Sequence, residues 1–201
     1  VGFSSVVSIS NQVLPNNSAW QQAFNAPSIY PVYDANNTST FPNKYASPSS
    51  VGFTSNFYNP VATANYFNSK NDSRQYLTNL YAQINLIPEK LNVKTSVNYN
   101  YQSINGKVFT PTYYVSSWQQ NTTTSLTKST TSYDNYIWDN IMTYRDSYGQ
   151  DNFGAMLGMS MRQEKYRFLS GTAVNVPEGK EEYQYLSQGN STGITLSDNG
   201  S

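Results

Sequence analysis

The chain has 201 residues, with 12 basic and 12 acidic side chains and a formal net charge of zero. It contains neither Cys nor His, which excludes thiol nucleophiles, disulfides, Cys/His zinc sites and Ser-His-Asp triads. The balanced charge argues against a nucleic-acid partner, because nucleic-acid-binding domains are usually basic.

Apolar and polar residues alternate along much of the chain, which is the period of a β-strand. The alternation predicts strands over about 1–10, 74–86, 91–102, 133–147 and 152–167. Short connections join the second strand to the third and the fourth to the fifth, so two hairpins are expected. The segments expected to be loops are about 11–73, 103–132 and 168–201.

The two faces of these strands differ in chemistry. Leu80, Val97 and Leu157 belong to faces that carry no charged residue in the three clearest strands. The opposite faces are polar, which suits contact with water. The side chains expected to line an aqueous lumen are Asn79, Gln83, Lys94, Asn98, Arg162 and Glu164.

Long and short connections alternate, and the clearest strands are about as long as an outer-membrane strand. The pattern therefore predicts an all-β fold. We expect residues 1–201 to be a fragment of a large antiparallel transmembrane β-barrel, with long extracellular loops and short periplasmic turns. Five strands cannot close such a barrel, and the chain opens at Val1 in mid-pattern, so a piece of a longer protein is expected.

Two other interpretations remain open. A soluble or surface-attached β-sandwich that binds glycans explains the alternation equally well, but explains the strand lengths and unequal loops poorly. A hydrolase would need convergent carboxylates, and the acidic cluster of Glu178, Glu181 and Glu182 is the nearest candidate. These glutamates are expected to be solvated loop residues, and no catalytic residue, metal site or cofactor is expected.

Six short motifs occur in order between about residues 30 and 190. They are Asn59-Pro60-Val61-Ala62, Ile87-Pro88 with Leu91-Asn92-Val93-Lys94, Tyr136-Ile137-Trp138-Asp139-Asn140 with Thr143-Tyr144, Leu157-Gly158-Met159-Ser160, Leu169-Ser170-Gly171, and Tyr183-Gln184-Tyr185-Leu186. In order and spacing this set resembles the barrel of SusC/RagA-like TonB-dependent transporters.

The resemblance implies a location and partners. Proteins of this family are 22-stranded barrels in the outer membrane of Bacteroidota, with an N-terminal plug that this chain lacks. They import oligosaccharides, glycans or peptides, so nutrient uptake is the implied role. The implied partners are a SusD-like lipoprotein lid, membrane lipid or lipopolysaccharide, and the TonB–ExbB–ExbD complex acting through parts outside this chain.

Aromatic side chains in the expected outer loops are the candidates for contact with a ligand or with the lid. Aromatic rings pack on sugar rings and on protein partners. The alternative is that they pack within the loops themselves. The candidates are Trp20, Tyr30, Tyr33, Tyr113, Tyr114 and Trp118.

Overall fold

The computed structural model describes residues 1–190 and 194–201. Eight strands are described: β1 Gly2–Leu14, β2 Asn68–Ile87, β3 Leu91–Thr110, β4 Tyr113–Ser116, β5 Gln119–Asn121, β6 Ser125–Tyr148, β7 Asp151–Val174 and β8 Thr195–Gly200. The helices are α1 Asn17–Asn25 and α2 Pro60–Asn65, with short 3-10 helices at Ser49–Val51, Glu181–Tyr183 and Leu186–Gln188. Within the described residues, no helix is long and apolar enough to cross a membrane.

Six strands form one antiparallel sheet in the order β1-β2-β3-β6-β7-β8. The sheet is open, because β1 and β8 each have one neighbour in the described part of the chain. Strands β4 and β5 form a separate two-stranded sheet within the connection that joins β3 to β6. The chain is therefore mostly antiparallel β-sheet.

Both predicted hairpins form, with tight turns at one end of the sheet, called here the turn end. Between β6 and β7, Gly149 has a φ of 63°, a left-handed conformation that glycine adopts without a steric penalty. Between β2 and β3, Glu89 takes a φ of 62° in the turn. The opposite end of the sheet, where the long connections begin, is the loop end.

The long strands extend further toward the loop end than the alternation predicts. The predicted loop 103–132 was wrong at both ends, since 103–110 belong to β3 and 125–132 to β6. The predicted loops 11–73 and 168–201 likewise contain parts of β1, β2 and β7, and the second also contains β8. Residues 191–193 of that loop lie outside the described residues. The alternation fades here because polar residues appear on both faces of the strands, while the backbone pairing continues.

The buried core lies at the loop end. One cluster joins Phe109, Leu126 and Ala173 to Val176, and Leu186 packs against it. A second cluster lies in the long loops and contains Tyr45, Ala62, Tyr66 and Val115. These small clusters are stabilised by burial of apolar surface, whereas the apolar side chains nearer the turn end remain exposed.

We predict that Leu126→Ala lowers the free energy of unfolding by about 2–5 kcal/mol, because it leaves a cavity at a fully buried site. Denaturant unfolding of the purified protein measures this change. The matched control is Leu169→Ala, which removes a half-exposed leucine from β7 and is expected to cost less than about 1 kcal/mol. Equal losses in the two variants would contradict the assignment of the core.

Candidate functional site

The register of the sheet sorts its side chains onto two faces, because directly paired residues lie on the same face. The apolar face is defined by the row Phe3–Leu80–Val97–Trp138–Met161 and the rows parallel to it. The amide face is defined by the row Ser4–Asn79–Asn98–Ile137–Arg162 and its parallel rows. Each face therefore runs continuously over at least five strands.

All six residues predicted to face a lumen lie on the amide face. Asn79 donates a hydrogen bond to Asn98 on the neighbouring strand. The Nζ of Lys94, which pairs with Gln83, lies 5.1 Å from the ring centroid of Tyr81. The remaining two, Arg162 and Glu164, form an ion pair along β7.

A shallow cleft of about 290 Å³ lies on the amide face. Three of the six predicted residues line it, together with further amide side chains and a few aliphatic ones. Gln75 donates to the Asn100 side chain at 3.1 Å at its margin. The surface can therefore exchange hydrogen bonds with a polar solute at many points, since each amide both donates and accepts.

The apolar face is largely uncovered in its turn-side half. Leu80 is 49% exposed, Ile84 62% and Leu157 67%. No charged side chain occupies the five rows from Thr78–Tyr99–Tyr136 to Leu91–Tyr144. The indole N–H of Trp138 has a hydrogen-bond partner on this face, because its Nε1 donates to Thr95 Oγ1 at 2.9 Å. Asn140 is the exception, with an enclosed Nδ2 that has no hydrogen-bond partner.

Tyrosines mark both ends of this apolar band. Tyr76 and Tyr101 are paired directly across β2 and β3, with ring centroids 6.2 Å apart. At the turn end, Tyr144, Tyr148 and Phe153 are exposed on the same face. From Leu91 to Tyr101 the strand rises about 33 Å, or about 23 Å along the normal if it is tilted by 45°.

Asn59 organises the long loops and was not among the predicted site residues. It is fully buried and caps α2, which begins with Pro60. Its backbone N–H donates to Gln119 Oε1 at 2.8 Å, and Gln119 Nε2 donates back to its carbonyl at 2.9 Å. Its side-chain amide has four backbone partners: Val32 O, Ala46 O, Val61 N and Ala62 N. This clasp ties the 15–67 loop to the loop that carries β4 and β5.

Three of the six predicted aromatic candidates contact other groups of the loop assembly. Tyr30 donates to Ala46 O, and burial raises its pKa to about 12. Tyr33 stacks on Tyr45 at a centroid distance of 5.2 Å. Tyr113 stacks on Tyr66 at 4.3 Å, and burial also raises its pKa. These contacts stabilise the loops, and the Tyr33 side chain is still 59% exposed.

Of the other three candidates, the two tryptophans are highly exposed and Tyr114 is partly buried. Trp20 is 77% exposed on α1. Trp118 is 63% exposed and shares a cleft of about 570 Å³ with Tyr114. Serine hydroxyls, Asn37 and Asn56 line the same cleft, and none of its lining side chains is charged. The loop cleft therefore offers an indole and many neutral hydrogen-bonding groups.

The segment 175–190 folds back over the apolar face at the loop end. Glu181 forms ion pairs with Lys70 and Lys107, which are paired directly across β2 and β3. The pKa of Glu181 is held below its usual range, chiefly by the hydrogen bond from Lys70. The other two glutamates of the acidic cluster have different partners, since Glu178 accepts from Thr112 and Glu182 lies 3.9 Å from Lys180.

Among the described residues, no group of three or more acidic side chains is placed to hold a metal ion. No protein-family model matches the chain, and no curated protein matches it.

We predict that Asn59→Ala lowers the free energy of unfolding by about 2–4 kcal/mol, because it removes two hydrogen bonds to backbone carbonyls at a buried site and leaves the N–H groups of Val61 and Ala62 without their cap. Denaturant unfolding measures the loss. The matched control is Asn16→Ala, which removes the cap of α1 but only one side-chain bond, to Ser18 N. Its expected cost is about 1 kcal/mol. A smaller loss for Asn59 than for Asn16 would rule out the stabilising role of the Asn59 side chain.

We predict that segment 175–190 loosens in acid. A carboxylate with a lowered folded-state pKa stabilises the fold above its ordinary pKa, and this contribution is lost as pH falls through the folded value. Hydrogen exchange of the segment, corrected for intrinsic rates, is therefore expected to accelerate between pH 6 and pH 3. Glu181→Gln should remove this pH dependence, whereas Glu182→Gln should retain it. Identical pH profiles for the two variants would be inconsistent with the ion pairs of Glu181.

Proposed function

We propose that this chain forms part of the wall of a transmembrane β-barrel that imports oligosaccharides, glycans or peptides across a bacterial outer membrane, as SusC-like TonB-dependent transporters do. In this proposal the apolar face contacts lipid and the amide face lines the aqueous passage. The observation that carries the proposal is the uncovered, charge-free apolar band between two sets of tyrosines.

The height of the band supports lipid as its covering. Its rise of about 23 Å is close to the roughly 25 Å apolar belt of outer-membrane barrels. Tyrosines are common where such a belt meets the headgroups, because an amphipathic ring suits that boundary. A lysine or arginine in the middle of the band would cost about 2–4 kcal/mol, which fits their absence from those rows.

The two open edges of the sheet would need to be paired in a membrane. Unpaired backbone groups in lipid cost several kcal/mol each, and about eight strands are the minimum for a closed barrel. Further strands must therefore pair with β1 and β8. Coupling to TonB–ExbB–ExbD would likewise depend on parts of the protein outside this chain.

The loop assembly supports the role in uptake. Outer loops meet the solute first, and the loop cleft has neutral amide and hydroxyl groups beside the exposed Trp118. An indole can stack on a sugar ring, and it can equally pack against a SusD-like lid. Trp20 presents a second exposed indole on α1.

The β-sandwich alternative requires a second sheet over the apolar face. In the described ranges, the only other sheet is the short β4–β5 pair. Leu80 and Leu157 stay exposed rather than entering a closed core, and Val97 is only partly buried. The geometry therefore favours the barrel over the sandwich.

Adjacent residues on β2 test the proposal, because Asn79 and Leu80 lie on opposite faces. Each is replaced by cysteine in the full-length protein, spin-labelled and reconstituted in vesicles. We expect the label at Leu80→Cys to be accessible to dissolved oxygen and the label at Asn79→Cys to a water-soluble nickel complex. Equal access of the nickel complex to both positions would refute the membrane orientation.

The same two variants test passage of the solute. In cells, a bulky maleimide at Asn79→Cys is expected to slow uptake of a labelled oligosaccharide or peptide severalfold, because it narrows the passage. The same reagent at Leu80→Cys should leave uptake unchanged. Correct membrane orientation without this difference in uptake would retain the barrel and refute the import role.

A further inference from the structure

Half of the basic residues of this neutral chain lie on one face of the sheet, either in the row of the Tyr76–Tyr101 pair or beyond it toward the loop end. The register places them on the same side of the sheet as the apolar face, in its loop-side half, where the side chains are polar. They form two tiers that differ in what covers them. The six are Lys70, Arg74, Lys107, Lys128, Lys165 and Arg167.

The far tier is already occupied by the chain itself. Lys70, Lys107 and Lys128 are consecutive members of one cross-strand row. Glu181 forms ion pairs with the first two, and the ring of Tyr185 lies 5.1 Å from the Nζ of Lys128. Segment 175–190 thus offsets part of the mutual repulsion of three aligned lysines.

The near tier is open. Its row runs Arg74–Ser103–Ser132–Arg167 across β2, β3, β6 and β7, next to the tyrosine pair. Both arginines are exposed, and in the described part of the chain neither forms an ion pair within 4.0 Å. With strands about 4.8 Å apart, the two arginines are separated by about 14 Å across the sheet.

The neighbouring row adds a third cation and one acid. Lys165 is paired with Asp134, and both line a cleft of about 90 Å³ with Tyr101, Ser132 and Arg167. Asp72 and Asp198 lie one row further from the tyrosines. The near tier therefore comprises Arg74, Arg167, Lys165 and Asp134. Its net charge is positive, because the arginine row itself contains no carboxylate.

We propose that the near tier binds the phosphate groups of a phosphorylated lipid headgroup. This inference rests on the proposed function, in which the tyrosine pair marks the edge of the lipid belt. The arginine row then lies at headgroup height, where guanidinium groups bind phosphate bidentately and serine hydroxyls add donors. The separation of the arginines favours a headgroup with more than one phosphate, such as diphosphorylated lipid A.

The test uses the full-length protein in neutral detergent, with native mass spectrometry of diphosphorylated lipid A titrated onto it. Each basic side chain near an anionic lipid surface contributes about a fivefold increase in affinity, so Arg74→Gln with Arg167→Gln should weaken binding by roughly 20–30-fold. The matched control is Arg162→Gln with Arg145→Gln on the amide face, expected to change binding less than about twofold. Unchanged binding by the first pair would overturn the proposal.

Two further arms distinguish a lipid site from a free-phosphate site and from a misfolded one. Arg74→Lys with Arg167→Lys keeps the charge and should recover part of the affinity, which a misfolded site would not. Full competition by equimolar inorganic phosphate would indicate a free-phosphate site and overturn the lipid assignment. If the glutamine pair fails to fold, the unaltered protein provides the test. Its affinity must fall steeply as salt is added and when dephosphorylated lipid A replaces the diphosphorylated form. An affinity that changes in neither case would overturn the proposal.

Failure of this inference is distinguishable from failure of the proposed function. If the protein remains in solution without detergent and binds no lipid, the proposed membrane function itself is refuted. A protein that keeps the spin-label pattern at positions 79 and 80, yet binds diphosphorylated and dephosphorylated lipid A equally, is a barrel without a phosphate-binding row.

Discussion

One constraint governs this structure: in the described residues, the broad apolar surface of the sheet has no protein layer that covers its turn-side half. Burial of such surface is the main favourable term in folding, and here the chain buries apolar side chains mainly in two small clusters near the loop end. The Leu80–Val97–Trp138 region must therefore be covered by something apolar from outside. The proposed lipid contact, the tyrosine borders and the separation of charged residues toward the loop end are all consistent with that constraint.

The turn-side half of the sheet was predictable because its two faces differ. Alternation at Leu80, Val97 and Leu157 identified the strands and assigned the six polar residues to one face. The loop-side half was not predictable in the same way. From Thr127 to Ser132 both faces are polar, so the side-chain pattern disappears while the backbone hydrogen bonds that define the strand persist.

The loop site was only partly predictable, because its key contacts join residues distant in the sequence. Asn59 before Pro60 is a local sign of a helix start, but its partner Gln119 is 60 positions away. The lysine row shows the same limit, since Lys70 and Lys128 become neighbours of Lys107 only through the register of β2, β3 and β6. Aromatic content alone also could not separate packed rings such as Tyr113 from the accessible Trp118.

The reciprocal amide bonds between Asn59 and Gln119 have a mechanical consequence. They couple two long connections through a buried contact that excludes water, so these connections are expected to pivot together as one body rather than fluctuate separately. A cleft assembled on such a unit is preorganised, and an incoming molecule would lose little affinity to the entropy of ordering it. Selectivity would then depend on the fit to a rigid rim.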